Sequence, residues 1–370
     1  MNNKLIVMYK EKTENPENTW SGTSYSLRKA LEKYVDVIFV NVADTALMSY
    51  IYKIYGKLIN TFLAKKVGSI YEWMEEKHAR KLLSPYQGIP VLEICNDIPI
   101  TNPCFLYQDL SYANWSVARE HLKLLKKQFS GGNPNALPLS ELERKIILQE
   151  RLYEKAKTVF YMGNWVTEDM KNKYPNMAEK FVHVGGGLNE NFDSKLVFGE
   201  ERNPKQIVFC GIDFERKGGD LVLDAFQILI KTIPDAKLVI IGSDSKKELN
   251  GVKWYGKIER NKISDIFARS GIFCMPSRFE ADGLVFIEAL CSGLPIIARN
   301  DYEMRYFVNN GENGYLISSD DPNELAHIMS MAIKNLDMQR NVRDKRLEYK
   351  SMYSWDGVAK KIADEIFGFC

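Results

Sequence analysis

The chain has 370 residues, 45% hydrophobic and 26% charged, which is too long for one ordinary domain and too apolar for a disordered protein. A net charge of +2 provides no bulk field for nucleic acid. Four unclustered histidines argue against a histidine metal site, and six cysteines without a CxxC pair argue against a disulfide framework. The charge splits mildly, with 25 Lys/Arg against 21 Asp/Glu in residues 1–190 and 25 against 27 in residues 191–370. The apolar run in MNNKLIVMYKEK is too short for a signal peptide, and no run of 18 apolar residues exists, so a cytoplasmic, reduced setting is expected.

Residues 4–9 read as a first strand, Trp20-Ser21-Gly22-Thr23 as a small-residue loop, 24–34 as a helix and 35–42 as a second strand, the opening of a βαβ unit. Residues 45–85 repeat Tyr, Ile and Leu at helical spacing. Short strands are expected at 90–94 and 105–107, a charged helix at 140–157, a strand at 158–162, a helix at 167–173 and a strand at 181–184. The polar stretch from Gly185 to about Pro204 lacks periodicity and is read as an interdomain linker.

Strand–helix alternation then resumes. Strands are expected at 206–211, 236–242, 252–256, 272–275 and 295–298, with helices at 218–231, 263–269, 284–291 and 322–334. Asp320 or Asp321 is a cap candidate for the last of these. Apolar strands alternating with helices imply parallel sheets covered on both faces. The expected fold class is α/β: two Rossmann-like domains, 1–190 and 191–352, facing across a cleft at the carboxyl ends of their strands.

The segment from Gly271 to Arg299 is the richest in chemistry. Glu280 precedes a helix opened by Asp282-Gly283-Leu284-Val285, and Glu288 lies one turn further in, among apolar residues where a carboxylate without a ligand would be costly. A helix N-terminus has unpaired N–H groups and the positive end of the dipole, which suits a diphosphate. Carboxylates on either side of it can accept hydrogen bonds from sugar hydroxyls, so the pattern fits a nucleotide-sugar. The loop 210–219 places Arg216 and Lys217 before two glycines, a cationic loop whose backbone can approach phosphate. In the first half, Gly22 permits close backbone approach after the first strand, although GxGxxG is absent. Asp109 ends another strand, where it can serve an acceptor hydroxyl or cap the chain from Ser111 onward. His183 reads as structural. The aromatic, mildly basic stretch 49–64 reads as core or as a membrane-interface helix.

These residues carry a family resemblance. The run Phe279-Glu280-Ala281-Asp282-Gly283-Leu284-Val285-Phe286-Ile287-Glu288, continuing to Gly293-Leu294-Pro295, resembles the Glu–seven residues–Glu hallmark of the retaining glycosyltransferases of family 4, also called group 1 glycosyltransferases, which have the GT-B fold. Arg216-Lys217-Gly218 and Tyr353-Ser354-Trp355 are similar to further elements of that family. The resemblance implies that Glu288 binds the donor ribose and Glu280 the donor sugar. It implies that Lys217 and Arg216 neutralise the diphosphate with the backbone of Asp282, Gly283, Leu284 and Val285, and that Gly22 meets the phosphates. It also implies that residues 353–370 form a helix crossing back to the first domain. Two departures stand out: Cys210-Gly211-Ile212 lacks the family's arginine, and Tyr107-Gln108-Asp109 stands where many members have histidine.

The reaction so implied moves a hexose from a UDP- or GDP-linked donor to a hydroxyl of a saccharide or lipid-linked glycan with retained configuration. No permanent cofactor and no metal is called for, since no fitting DxD occurs. No nucleic acid partner is expected, and peripheral contact with the inner membrane face is left open. The competing readings are a nucleotide-sugar epimerase on the same fold and an inactive nucleotide-sugar-binding scaffold.

Overall fold

A computed structural model of the chain describes residues 3–11, 16–122, 137–189, 192, 202–244 and 248–368. These form two compact units. One runs through Gly186 and takes in Trp355–Cys370; the other holds Gly187–Ser354.

The first unit contains β1 (Lys4–Tyr9), α1 (Thr23–Leu31), β2 (Asp36–Asn41), α2 (Ala46–Leu58), α3 (Ala64–Leu83), β3 (Val91–Ile94), β4 (Cys104–Gln108), α4 (Tyr112–Leu122), α5 (Leu139–Lys155), β5 (Thr158–Tyr161), α6 (Asn164–Lys173) and β6 (Phe181–His183). Its six strands are all parallel in the order β2-β1-β3-β4-β5-β6. Every residue of β3, β4 and β5 is buried, as expected of a parallel sheet covered on both faces. The helical pattern over 45–85 breaks between α2 and α3. There the Thr61 hydroxyl donates to the Leu58 carbonyl (2.8 Å) and accepts from the Leu63 amide (3.3 Å), and so competes with the helix backbone.

The second unit contains β7 (Asn203–Cys210), α7 (Gly219–Leu229), β8 (Lys237–Ile241), β9 (Val252–Trp254), α8 (Arg260–Arg269), β10 (Ser270–Cys274), α9 (Leu284–Cys291), β11 (Ile296–Arg299), α10 (Met304–Phe307), β12 (Gly314–Ile317), α11 (Pro322–Lys334), α12 (Leu336–Asp344) and α13 (Arg346–Met352). The order is β12-β11-β10-β7-β8-β9, again all parallel. Asp321 caps α11, its carboxylate accepting from the Asn323 amide at 2.8 Å. Most of the linker region, at 190, 191 and 193–201, lies outside the described residues, as does Cys370. Phe192 is buried edge-on against Phe267. The remaining five cysteines are free thiols.

The closing helix α14 (Trp355–Phe367) packs on α1 of the first unit. In both sheets the strand order reverses beside the first strand of the unit, between β1 and β3 and between β7 and β10. These switch points leave an opening beyond the strand carboxyl ends, the usual place for a ligand in this architecture.

Candidate functional site

In the second unit, the loops that leave β7 and β10 lie side by side at the switch point. The Arg278 amide donates to the Arg216 carbonyl (2.8 Å), the Ser277 hydroxyl to the same carbonyl (3.2 Å), and the Arg216 guanidinium to the Phe279 carbonyl (2.6 Å). Gly218, with φ of 76°, ends the first loop, and a Cβ there would sit 2.5 Å from the Pro276 carbonyl oxygen, so only glycine permits this approach. Gly283, with φ of 95°, is the N-cap of α9 and leaves its first turn without a side-chain cap. Gly283, Leu284 and Val285, at the start of α9, are half-buried.

The predicted charged residues converge here. Lys217 Nζ lies 2.5 Å from Glu280 Oε1, and Arg216 Nη1 lies 3.6 Å from the same oxygen. Burial pushes the Glu280 carboxyl up, but the Lys217 and Arg216 charges outweigh it and hold the group below its ordinary range. Glu288 is also buried, with Arg260 Nη1 at 3.1 Å. There desolvation prevails over Arg260 and Lys217, and the carboxyl is pushed up to about 7. Lys217 thus acts on both glutamates. Burial pushes the Cys210 thiol up to about 12, and the Glu288 charge adds to that. Arg216 divides its guanidinium among Glu280, Phe279 and the Asp213 carboxylate (3.1 Å), so it ties the loops as well as charging them. Asp282 is buried just before α9.

Three further arginines fix this arrangement. Arg278 holds Asp220 with both of its terminal nitrogens (2.8 and 3.0 Å) and Asp320 through Nε (2.8 Å), and Arg299 also reaches Asp320. Arg202 donates to the carbonyls of Ser292, Gly293 and Ala268 and so closes the carboxyl end of α9. Sequence reasoning did not single out Arg260, Arg278 or Arg202. One signal was present for Arg260: a cation in the first turn of a helix opposes the dipole and asks for a partner.

The other two predicted residues lie in the first unit. Gly22 is the left-handed N-cap of α1 (φ 92°), and Trp20 and Ser21 before it also have positive φ, at 47° and 58°. Such a run in non-glycine residues costs roughly 1–3 kcal/mol each and persists only when its surroundings enforce it. The Trp20 side chain hydrogen-bonds Asp109 and meets the Tyr107 ring edge-on at 6.1 Å, linking the WSGT loop to the end of β4. Desolvation pushes the Asp109 carboxyl up to about 6, although backbone amides and Trp20 work against it. His183 hydrogen-bonds the Met162 carbonyl at 3.1 Å, a structural contact. No group of three or more His, Cys, Asp or Glu poised to hold a metal occurs among the described residues.

Residues 192–347 match the family model described as glycosyl transferases group 1. The chain is 32% identical over 171 residues to an uncharacterized glycosyltransferase of Haemophilus influenzae, covering 44% of this chain and 47% of that one. It is 25% identical over 193 residues to a phosphatidyl-myo-inositol mannosyltransferase of Mycobacterium leprae, covering 49% and 52%. These alignments span about half the length of either relative. The solved structure of WaaG, a glycosyltransferase involved in lipopolysaccharide biosynthesis, aligns with 99% of this chain and 100% of its own at a TM-score of 0.65 and 16% identity. Two Rossmann-like units in one chain, aligned end to end with such a structure, define the GT-B fold. The group 1 match covers the second unit, where the glutamate–lysine cluster lies.

Proposed function

We propose that the chain is a retaining hexosyltransferase that uses a nucleoside diphosphate sugar, UDP- or GDP-linked, and a saccharide or lipid-linked glycan acceptor. The observation that carries this reading is Lys217, paired with buried Glu280 at 2.5 Å and lowering the charge cost of buried Glu288, where α9 opens. Lys217 and the amides of Gly283, Leu284 and Val285 face the diphosphate, Arg216 fixes the loop and adds charge, and Asp282 completes the opening. Glu288 accepts from ribose hydroxyls and Glu280 from the sugar.

The bond from the anomeric carbon to the diphosphate oxygen breaks, and negative charge develops on the leaving group. A preorganised lysine and helix terminus stabilise that charge more than they stabilise the bound donor. The acceptor hydroxyl attacks the face the diphosphate leaves and gives its proton to a diphosphate oxygen, so no carboxylate nucleophile is needed. In the first unit, Gly22 offers the backbone to phosphate, and Asp109 supplies an acceptor-side carboxylate whose raised pKa suits proton exchange near neutrality.

A lipid-linked acceptor at a membrane is favoured by one feature of the first unit: exposed Phe62 and Leu63 on the α2–α3 turn, with Lys57, Lys65 and Lys66 nearby in sequence.

The test is calorimetry of UDP- and GDP-sugars against the native chain, Glu288→Ala and Lys217→Ala, with a melting curve for each to confirm folding. One donor is expected to bind the native chain, and either substitution is expected to weaken it about 10- to 100-fold, the cost of a lost charged hydrogen bond. A folded native chain that binds no nucleotide-sugar overturns the reading.

A further inference from the structure

Arg260 stands where a helix least welcomes a cation. It is the first residue of α8, at the positive end of the dipole, and the N-cap before it, Glu259, makes no side-chain cap hydrogen bond. Its place answers to a partner in another element. Arg260 Nη1 donates to Glu288 Oε1 at 3.1 Å, 28 residues on in α9. Among the described residues no donor meets the other carboxylate oxygen, Oε2. The connection that carries Arg260 is itself anchored. The Gly242 amide donates to the Gly256 carbonyl (2.7 Å) and the Tyr255 amide to the Ile240 carbonyl (2.9 Å), which ties the segment between β9 and α8 to the end of β8.

Glu288 has no comparable partner. Its neighbours in α9, Ile287 and Ala289, are buried and apolar, and a carboxylate left alone among them takes up a proton. Burial pushes its carboxyl up to about 7, and two cations work against that, Arg260 first and then Lys217. Lys217 is already in contact with Glu280 at 2.5 Å. The thiols coupled to the Glu288 charge, Cys210 of β7 and Cys291 of α9, are each pushed up to about 12, chiefly by burial, and so stay neutral near pH 7. Arg260 is the cation that touches Glu288, and a guanidinium does not give up its proton.

We propose that Arg260 is a positioning residue of the donor site: by holding Oε1 it keeps the Glu288 carboxylate charged and turns Oε2 to the ribose, so that nucleotide-sugar binding depends on this ion pair. The role rests on the hexosyltransferase reading, in which Glu288 accepts from ribose hydroxyls. A charged acceptor holds a hydroxyl more strongly than a neutral one does. Arg260 acts through Glu288 and need not touch the donor. Its removal therefore has a signature that the loss of a direct contact lacks. It raises the proton affinity of Glu288, and the damage is repaired as pH rises.

Calorimetry of UDP- and GDP-sugars from pH 6 to 8.5 tests this, on the native chain, Arg260→Leu and Arg260→Lys, with a melting curve for each. The diphosphate diester of a nucleotide-sugar does not titrate in this range, so a pH profile belongs to the protein. Native binding is expected to strengthen as pH rises through about 7. Arg260→Leu is expected to bind about tenfold more weakly at pH 7, with the deficit shrinking by pH 8.5, and Arg260→Lys to recover most of the loss. An equal loss at every pH overturns the inference, since it means that Arg260 touches the donor directly. No loss at any pH overturns it as well. Carbon-13 NMR of the glutamate carboxyls in the nucleotide-free chain gives a second readout, with the Glu288 signal assigned by its absence in Glu288→Gln. Its titration midpoint is expected to move up in Arg260→Leu and back in Arg260→Lys. Donor binding by the native chain with an unmoved midpoint sinks the Arg260 assignment alone. A moved midpoint with no donor bound by the folded native chain sinks the transferase reading and reduces Arg260 to a structural partner of Glu288.

Discussion

Glu288 shows how a functional residue can be read from what it costs. It lies in α9 between Ile287 and Ala289, all three buried, with Arg260 at salt-bridge distance. Its carboxyl titrates near 7 in the folded chain against an ordinary 4.5. The folded state therefore holds this proton more tightly than the unfolded state. Its contribution to stability is full below about pH 4.5 and is lost as pH rises through 7, by about 3 kcal/mol at 1.36 kcal/mol per unit. An apolar helix with no use for a carboxylate would not keep it. Glu288→Gln carries no proton to lose. Its melting temperature is expected to exceed the native value at pH 8, with the advantage shrinking or reversing at pH 5, while nucleotide-sugar affinity falls. Melts at the two pH values decide the point: a difference that does not change with pH means that Glu288 is not held protonated by its surroundings.

At the scale of elements, the helix pair α2–α3 bears on a question the sequence leaves open. The aromatic spacing over 49–64 is more often that of a core helix than of a membrane interface. Met48 and Tyr55 do face the core, but Leu47 and Tyr50 are well exposed and Phe62, on the turn, is 90% exposed. Apolar side chains beside Lys57, Lys65 and Lys66 match an anionic bilayer, where each lysine near the surface contributes about 1 kcal/mol. The chain is expected to co-sediment with phosphatidylglycerol-containing vesicles and much less with phosphatidylcholine alone. Phe62→Ser combined with Lys65→Glu and Lys66→Glu is expected to lower that binding more than about tenfold. Equal sedimentation of the native and triple-substituted chains would refute the assignment. The same scale shows where sequence reading succeeds. The buried strands announce themselves as short apolar runs, and α9 follows its opening glycine at the expected residue. It stops where partners are distant in sequence. Lys10 meets Glu75 across 65 residues and Arg260 meets Glu288 across 28, so no local pattern records either pair. The helices α12 and α13 escaped because their residues are mostly polar and their apolar stripe is thin.

For the whole molecule, the order of the chain and the order of the units differ. The second unit is inserted between β6 and α14, so the first is completed only by the last helix. Trp355, Val358, Ala359, Ile362 and Ala363 of α14 are buried. Asp356 accepts from the Tyr34 hydroxyl at 3.0 Å and pairs with Lys33 at 2.9 Å, and Lys361 reaches the Val184 carbonyl at 3.3 Å. Burying three large apolar side chains contributes roughly 4.5–9 kcal/mol at about 1.5–3 each, comparable with the whole stability of a typical domain. Removal of residues 355–370 is therefore expected to unfold the first unit selectively. Amide hydrogen exchange reads both units at once. The expected pattern is lost protection in β1, α1 and β4, with β7, β10 and α9 still protected and nucleotide-sugar binding retained in weakened form. Protection kept everywhere would mean that α14 is dispensable to the first unit. Protection lost everywhere would mean that the second unit does not stand alone, and that the donor site depends on a helix whose contacts lie in the other half of the protein.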